Sequence, residues 1–174
     1  DLLYRWGNPV SYQQGSVMDQ KLFGQHYPHW IADGFLDAGK IIVYNNGIHR
    51  TTPYSEVNIL DLPIDELGNY TKTTDNAFAP LNPDYIYGSI SNTEFYSPIL
   101  SSAQRLPNGH ILVCEGTSGR FFELDNEENI VWEYINPVQS SGILTQGDLP
   151  NSNSVFRVEK YPINYIGFES KDLS

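Results

Sequence analysis

The chain has 174 residues, enough for one ordinary domain, and its 40% hydrophobic and 13% aromatic content excludes a disordered chain. A formal net charge of −11, with only 10 Lys and Arg scattered along the chain, excludes the clustered cationic face that binds nucleic acid. No run approaches the roughly 18 apolar residues of a membrane span, and a single cysteine excludes an internal disulfide.

The chain opens on Asp1-Leu-Leu-Tyr4 with neither an initiating Met nor a signal peptide, which suggests a mature or truncated product. Residues 1–12, DLLYRWGNPVSY, match residues 129–140, NIVWEYINPVQS. Aromatic meets aromatic at Tyr4/Trp132 and Trp6/Tyr134, and Asn8-Pro9-Val10 then meets Asn136-Pro137-Val138. The first twelve residues are therefore expected to be the last strand of a preceding structural unit, with a degenerate copy at Asp84–Ser89.

A second repeat follows. Gly39–Arg50, GKIIVYNNGIHR, aligns without a gap on Gly109–Arg120, GHILVCEGTSGR, and such self-similarity marks a repeat architecture. On this alignment Arg50 and Arg120 occupy one place in successive units, which favours an architectural role for both. Between the copies, Asp33–Ala38 lengthens a turn, and the polar, Pro-rich stretch 62–82 reads as a long surface loop.

Ser101–Pro137 is the clearest unit. Four short strands, SSAQRL, HILVCE, RFFEL and NIVWEYI, are separated by turn residues at Asn108-Gly109, Gly116–Gly119 and Asp125–Asn129. HILVCE is apolar at neighbouring positions, so both its faces are expected to be covered. An antiparallel four-stranded meander buried on both faces is the unit of a β-propeller. The expected fold is all-β, with 1–174 a single β-propeller portion. Two full four-stranded antiparallel blades span 22–89 and 98–137, the first carrying the inserted loop 62–82. Strands of two others lie at 1–12 and 142–161, where 142–161 starts or closes a further blade. A closed ring takes at least about four blades, so the remaining blades or a partner chain are needed to complete it.

Several residues invite chemistry. His26, His29 and His49 fall within one blade, but side chains alternate along a strand, so His26-x-x-His29 points to opposite faces and no shared metal is expected. No CxxC or HExxH supports a metal either. Asp125–Glu128 lacks the spacing of a calcium loop and reads as a solvated turn. Cys114 reads as a small core residue, His110 as a surface residue after a turn, and Asn69-Tyr-Thr71 as a glycosylation sequon in a eukaryotic secretory setting.

RWGNP (5–9), GQH (24–26), Asn45-Asn-Gly47 followed by Arg50, RLPNG (105–109), EG-x-x-GR (115–120), VWEY-x-NP (131–137) and VFRVEKY (155–161) form an ordered set. Together they resemble the arylsulfotransferase-like family of secreted β-propellers, typified by bacterial arylsulfate sulfotransferases. The match corresponds to the C-terminal portion of such a protein and spans nearly the whole chain.

The resemblance implies transfer of a sulfuryl group from an aryl sulfate to a phenol, without a nucleotide donor or other cofactor. It also implies an extracytoplasmic place, whether secreted, periplasmic or at the cell surface. In the family the group passes through a sulfated histidine in the central channel. An imidazole nitrogen attacks sulfur, cations stabilise the equatorial oxygens, and a proton donor assists the leaving phenolate.

Carried over by motif, His26 resembles the channel histidine and Arg50 the arginine that grips the sulfate, so these two are the catalytic candidates. His29 and Trp30 at the channel mouth, Ser101 and Ser102 on the next inner strand, and Arg157 are the substrate-binding candidates. Ser101 and Ser102 stand where catalytic members would present the sulfated histidine, and Tyr27-Pro28 stand where the family has an asparagine. Two functions therefore remain open: sulfuryl transfer on a small aryl sulfate or phenol, and a non-catalytic propeller that binds a ligand or partner at the cell surface.

Overall fold

Strands rich in β-branched and aromatic residues, punctuated by glycine turns, build two antiparallel meanders. The computed structural model describes residues 3–73 and 76–172; Asp1, Leu2, Thr74, Asp75, Leu173 and Ser174 lie outside the described residues. The first sheet runs β1 (His26–Trp30), β2 (Ile41–Asn45), β3 (Glu56–Leu60) and β4 (Tyr85–Tyr87) in chain order. The second runs β5 (Ser102–Arg105), β6 (Ile111–Glu115), β7 (Arg120–Leu124) and β8 (Ile130–Ile135), also in chain order. A two-stranded pair follows, β9 (Val138–Gln139) with β10 (Gly142–Ile143). The fold is thus mostly β, and the two four-stranded sheets stand side by side in a propeller-like arrangement that does not close.

The main core lies between the sheets. Ile42, Tyr44, Val57 and Ile59 of the first sheet meet Ala103, Ile111, Val113, Phe122 and Leu124 of the second. Phe95, from the connection between the sheets, stands edge-on to Phe122 with ring centroids 5.9 Å apart. Each large side chain buried here contributes roughly 1.5–3 kcal/mol by leaving water.

A different set covers the far face of the first sheet. Val43, Leu60 and Leu62 are buried there under Tyr4, Trp6, Leu22 and Tyr70. Tyr4 and Trp6 belong to the segment expected to be a strand, yet residues 3–8 join neither sheet and Pro9–Tyr12 is a 3-10 helix. Proline has no N–H for a ladder, and Gly7 turns the backbone to φ +101 just before it. The two aromatics instead cross to the 62–82 stretch, where Tyr4 Oη donates to Ala79 O (2.7 Å) and Trp6 Nε1 to Pro80 O (2.7 Å).

The far face of the second sheet is only half covered. Beyond β10, no strand ladder forms among the described residues of 142–161. A strap over 155–160 instead docks along β5. The Ser101 amide donates to Phe156 O (3.0 Å) and the Val155 amide to Gly116 O (2.8 Å). Ser102 Oγ accepts from the Val158 amide (3.2 Å) and donates to Val158 O (3.3 Å). Gln104 grips Lys160 in the same two-way fashion. Ser102 and Gln104 are two apart and so share a face of β5. Their side chains do what ladder amides do elsewhere.

Candidate functional site

The turn between β2 and β3, residues 46–55, builds the larger of two candidate sites. It is tied down at Gly47, whose amide donates to Phe23 O (2.9 Å) and whose φ is +77. A Cβ there would overlap the Tyr54 carbonyl oxygen, so only glycine fits. The turn delivers Arg50 into a cleft. Its Nη2 lies 2.6 Å from Glu56 Oε2, and Nη1 donates to Tyr54 O at 3.1 Å. The guanidinium carbon sits 3.9 Å from the Tyr54 ring centroid and 5.1 Å from that of Phe23. Arg50 is therefore held between two aromatic faces with only 8% of its side chain exposed.

The cleft measures about 560 Å³, within the usual range for small-molecule sites. Lys21, Phe23, His49, Tyr54 and Asn58 line it alongside Arg50 and Glu56, and Val17, Met18 and Ile90 form exposed apolar lips. Lys21 and Arg50 outnumber Glu56, so these lining charges favour an anion on a molecule of net charge −11.

The structure corrects the equivalence of Arg50 and Arg120. β2 and β6 each stand second in their sheets, but Arg120 opens β7 directly after a short turn, pairing with Glu115 (2.7 Å) and Glu133 (2.5 Å). In the first sheet β3 begins only at Glu56, leaving Arg50 inside the longer turn. Both arginines clamp a hairpin end, but only the longer turn opens a cleft around one of them.

The remaining candidates gather at the inner strands. His26 Nδ1 lies 2.7 Å from Asn46 Oδ1 and 3.2 Å from Gly24 O. Asn46 Nδ2 is spoken for, donating to Ser97 O (2.7 Å) and Leu100 O (3.0 Å), so the atom facing His26 is the oxygen. Two acceptors around Nδ1 make it the donor, so in the neutral ring the lone pair is on Nε2. His26 lies on β1 and is not among the residues lining the Arg50 cleft.

His29 and Trp30 line a smaller cavity of about 140 Å³ with Tyr27, Gln104, Arg105 and Glu159. His29 Nδ1 donates to Tyr27 O at 3.1 Å. Arg157 stacks over the Tyr27 ring at 4.8 Å, and its Nε lies 3.5 Å from Glu159 Oε1. The hydroxyls of Tyr161 and Tyr27 both donate to Glu159 and hold its carboxyl below the usual range. Burial, reinforced by that bond to Glu159, pushes the Tyr27 phenol up to about 12.

Ser101 and Ser102 are buried and committed to structure. Ser101 Oγ accepts from the Gly116 amide (3.0 Å) and donates to Ser97 Oγ (2.9 Å), while Ser102 holds the strap. The structure thus brings His29 and Trp30 to one cavity with Tyr27, over whose ring Arg157 stacks, places Arg50 in the larger cleft, and leaves His26 on β1. Cys114 is buried, and burial pushes its thiol up to about 12, which keeps it protonated.

Lys21, Phe23, Tyr54 and Asn58 escaped the sequence reading. Asn58 had a signal, a polar residue inside the apolar run EVNIL. Among the described residues no group of three or more His, Cys, Asp or Glu could hold a metal, and no helix is long and apolar enough to cross a membrane.

No curated protein and no solved structure matches the chain. A family model described as arylsulfotransferase (ASST) matches residues 12–137, a stretch that takes in both sheets and the whole Arg50 cleft. The chain belongs to the arylsulfotransferase (ASST) family.

Proposed function

We propose that this chain is the C-terminal portion of an extracytoplasmic arylsulfotransferase-family propeller whose Arg50 cleft binds an aryl sulfate. The observation that carries the reading is Arg50 itself, a buried guanidinium held between Phe23 and Tyr54 in a cleft of ligand size. An aryl ring fits among the aromatic and apolar walls. The sulfate's single negative charge matches the one positive charge left over from Lys21, Arg50 and Glu56. The two sheets are two blades, and further blades or a partner chain cover the faces left open.

Sulfuryl transfer is the second reading, favoured by family membership and by the free lone pair at His26 Nε2. In that step Nε2 attacks sulfur, the bond from sulfur to the aryl oxygen breaks, and the phenolate leaves with the electron pair. A phenol oxygen then displaces the imidazole from sulfur and loses its proton. Ser101 and Ser102 take no part, because their hydroxyls hold the sheets and strap together.

Titration with 4-nitrophenyl sulfate tests the binding reading. Saturable binding is expected, weakened about tenfold or more in Arg50→Lys, which keeps the charge but loses the planar fork. Absence of saturable binding by the parent chain overturns it. Release of 4-nitrophenol in the presence of phenol, lost in His26→Ala, is the outcome expected of the transfer reading.

A further inference from the structure

We infer that Asn58 reads the anionic head group of the ligand, its side-chain Nδ2 donating to a ligand oxygen at the floor of the Arg50 cleft. The inference rests on the reading of that cleft as an aryl sulfate site.

The orientation of the Asn58 amide follows from its neighbour. Asn45 Oδ1 accepts from the Phe23 amide at 2.8 Å, and Asn45 Nδ2 donates to Lys21 O (2.8 Å) and to Glu56 Oε2 (2.9 Å). A backbone N–H can only donate, and a carbonyl or carboxylate can only accept, so the Asn45 amide has one possible orientation. Both Nδ2 protons are thus engaged, and Asn58 presents its Oδ1 to that nitrogen at 3.4 Å, the outer limit of a shared hydrogen bond. That leaves Asn58 Nδ2 turned away from Asn45.

Asn58 is only 1% exposed, and its Nδ2 has no hydrogen-bond partner among the described residues. A buried, unsatisfied donor is costly and rare in folded proteins. Asn58 is among the residues that line the Arg50 cleft. The residues that fix it, Asn45 and Glu56, also fix Arg50 and the chain at Lys21 and Phe23. One network therefore sets the cations, an aromatic wall and a vacant donor around a single space. A donor with nothing to accept selects a ligand end made of acceptor oxygens. An oxyanion provides that end, and a neutral phenol provides it less well.

The test compares the parent chain with Asn58→Leu, close to isosteric, and with Asn58→Ala as a second variant in case Leu disturbs folding. Each is titrated with 4-nitrophenyl sulfate and with neutral 4-nitrophenol at a pH below the phenol's pKa. The preference for the sulfate over the phenol is expected to fall about ten- to a hundred-fold in both variants, as for loss of a hydrogen bond to a charged group. An unchanged preference, with the parent chain still binding, overturns the role of Asn58 alone. Failure of the parent chain to bind either compound overturns the cleft reading and this inference with it.

Discussion

The two sheets share a meander and a core, and they differ in their hairpin tips and in what lies on their far faces. The first sheet has the long 46–55 turn, and its far face lies under aromatic side chains from 4–22 and the 62–82 stretch. The second has the short Gly116–Gly119 turn, and its far face is gripped near β5 by the 155–160 strap and left open at β8. Both tips carry an arginine–glutamate clamp, yet only the longer one leaves space beside it. The cleft thus lies beside the longer of two connections between otherwise similar strands.

The comparison breaks most sharply at the shared core. Phe122→Ala is expected to cost about 3–5 kcal/mol, since it empties a fully buried site against Tyr87 of the first sheet and Phe95 of the connection between the sheets. If the sheets form one cooperative unit, denaturant melts followed by tryptophan fluorescence and by far-UV circular dichroism shift together. A shift in one probe alone would show two independent units.

Gly47→Ala attacks the longer tip. With φ at +77 and the Tyr54 carbonyl in the way, a loss of about 1–3 kcal/mol is expected, together with weaker aryl sulfate binding. Gly34, in the extended turn after β1, also has positive φ, but a Cβ added there would meet nothing within 4 Å, so alanine is milder and leaves binding intact. Equal binding losses at both positions would sink the assignment of the site to the longer tip.

Ser102→Ala removes both hydrogen bonds to Val158 and is expected to cost about 1 kcal/mol, read as faster amide exchange at Val158. The Arg50 cleft lies on the other sheet, and aryl sulfate binding is expected to stay unchanged.

The smallest effect is pH-dependent and separates the strap from the β6–β7 tip. Burial raises the Glu123 pKa, but hydrogen bonds from Lys160, Asn108 and His110 outweigh it, so Glu123, like Glu159, sits below its ordinary value of 4.5. Both therefore stabilise the strap fully above that value, and their contribution is lost as pH falls through the lowered folded pKa. Glu115 runs the other way. Burial raises it despite Arg120, so its contribution diminishes as pH rises between the ordinary value and the raised one. Acid titration followed by NMR at the Val158 and Lys160 amides should show the strap loosening below the usual carboxylate range, less steeply in Glu159→Gln. A strap that loosens as pH rises instead would refute the assignment.

Strand character was legible wherever residues could be covered on both faces, as in IIVYN and ILVCE. The glycine turns at 109 and 116–119 were legible because only a few residue types tolerate their backbone. The aromatic match of 1–12 to 129–140 did not show that Tyr4 and Trp6 reach the 62–82 stretch, because aromatic spacing carries no information on long-range partners. The gapless alignment of Arg50 on Arg120 misled for a related reason, since side-chain identity at a turn does not report the length of the turn. Ser101 and Ser102 were visible as polar residues on an inner strand. Their commitment to Ser97, Gly116 and Val158 is a long-range matter that no local pattern encodes. The Arg50 cleft joins parts of the chain from Val17 to Ile90, so its floor at Asn58 could be seen only once β3 met the segment before β1.

β8 is exposed along its whole length and ends the second sheet, with Trp132 and Tyr134 stacked on one face and an unpaired backbone edge. Such an edge is a template for another strand. Glu133 is its one charge and is already paired with Arg120, so little on the strand itself repels a second copy. What separates copies of this chain is the long-range repulsion of eleven net negative charges. Its reach shrinks from about 10 Å at 0.1 M salt to about 3 Å at 1 M. Colloidal stability is thus electrostatic where strand architecture offers none, and added salt is expected to drive association through β8.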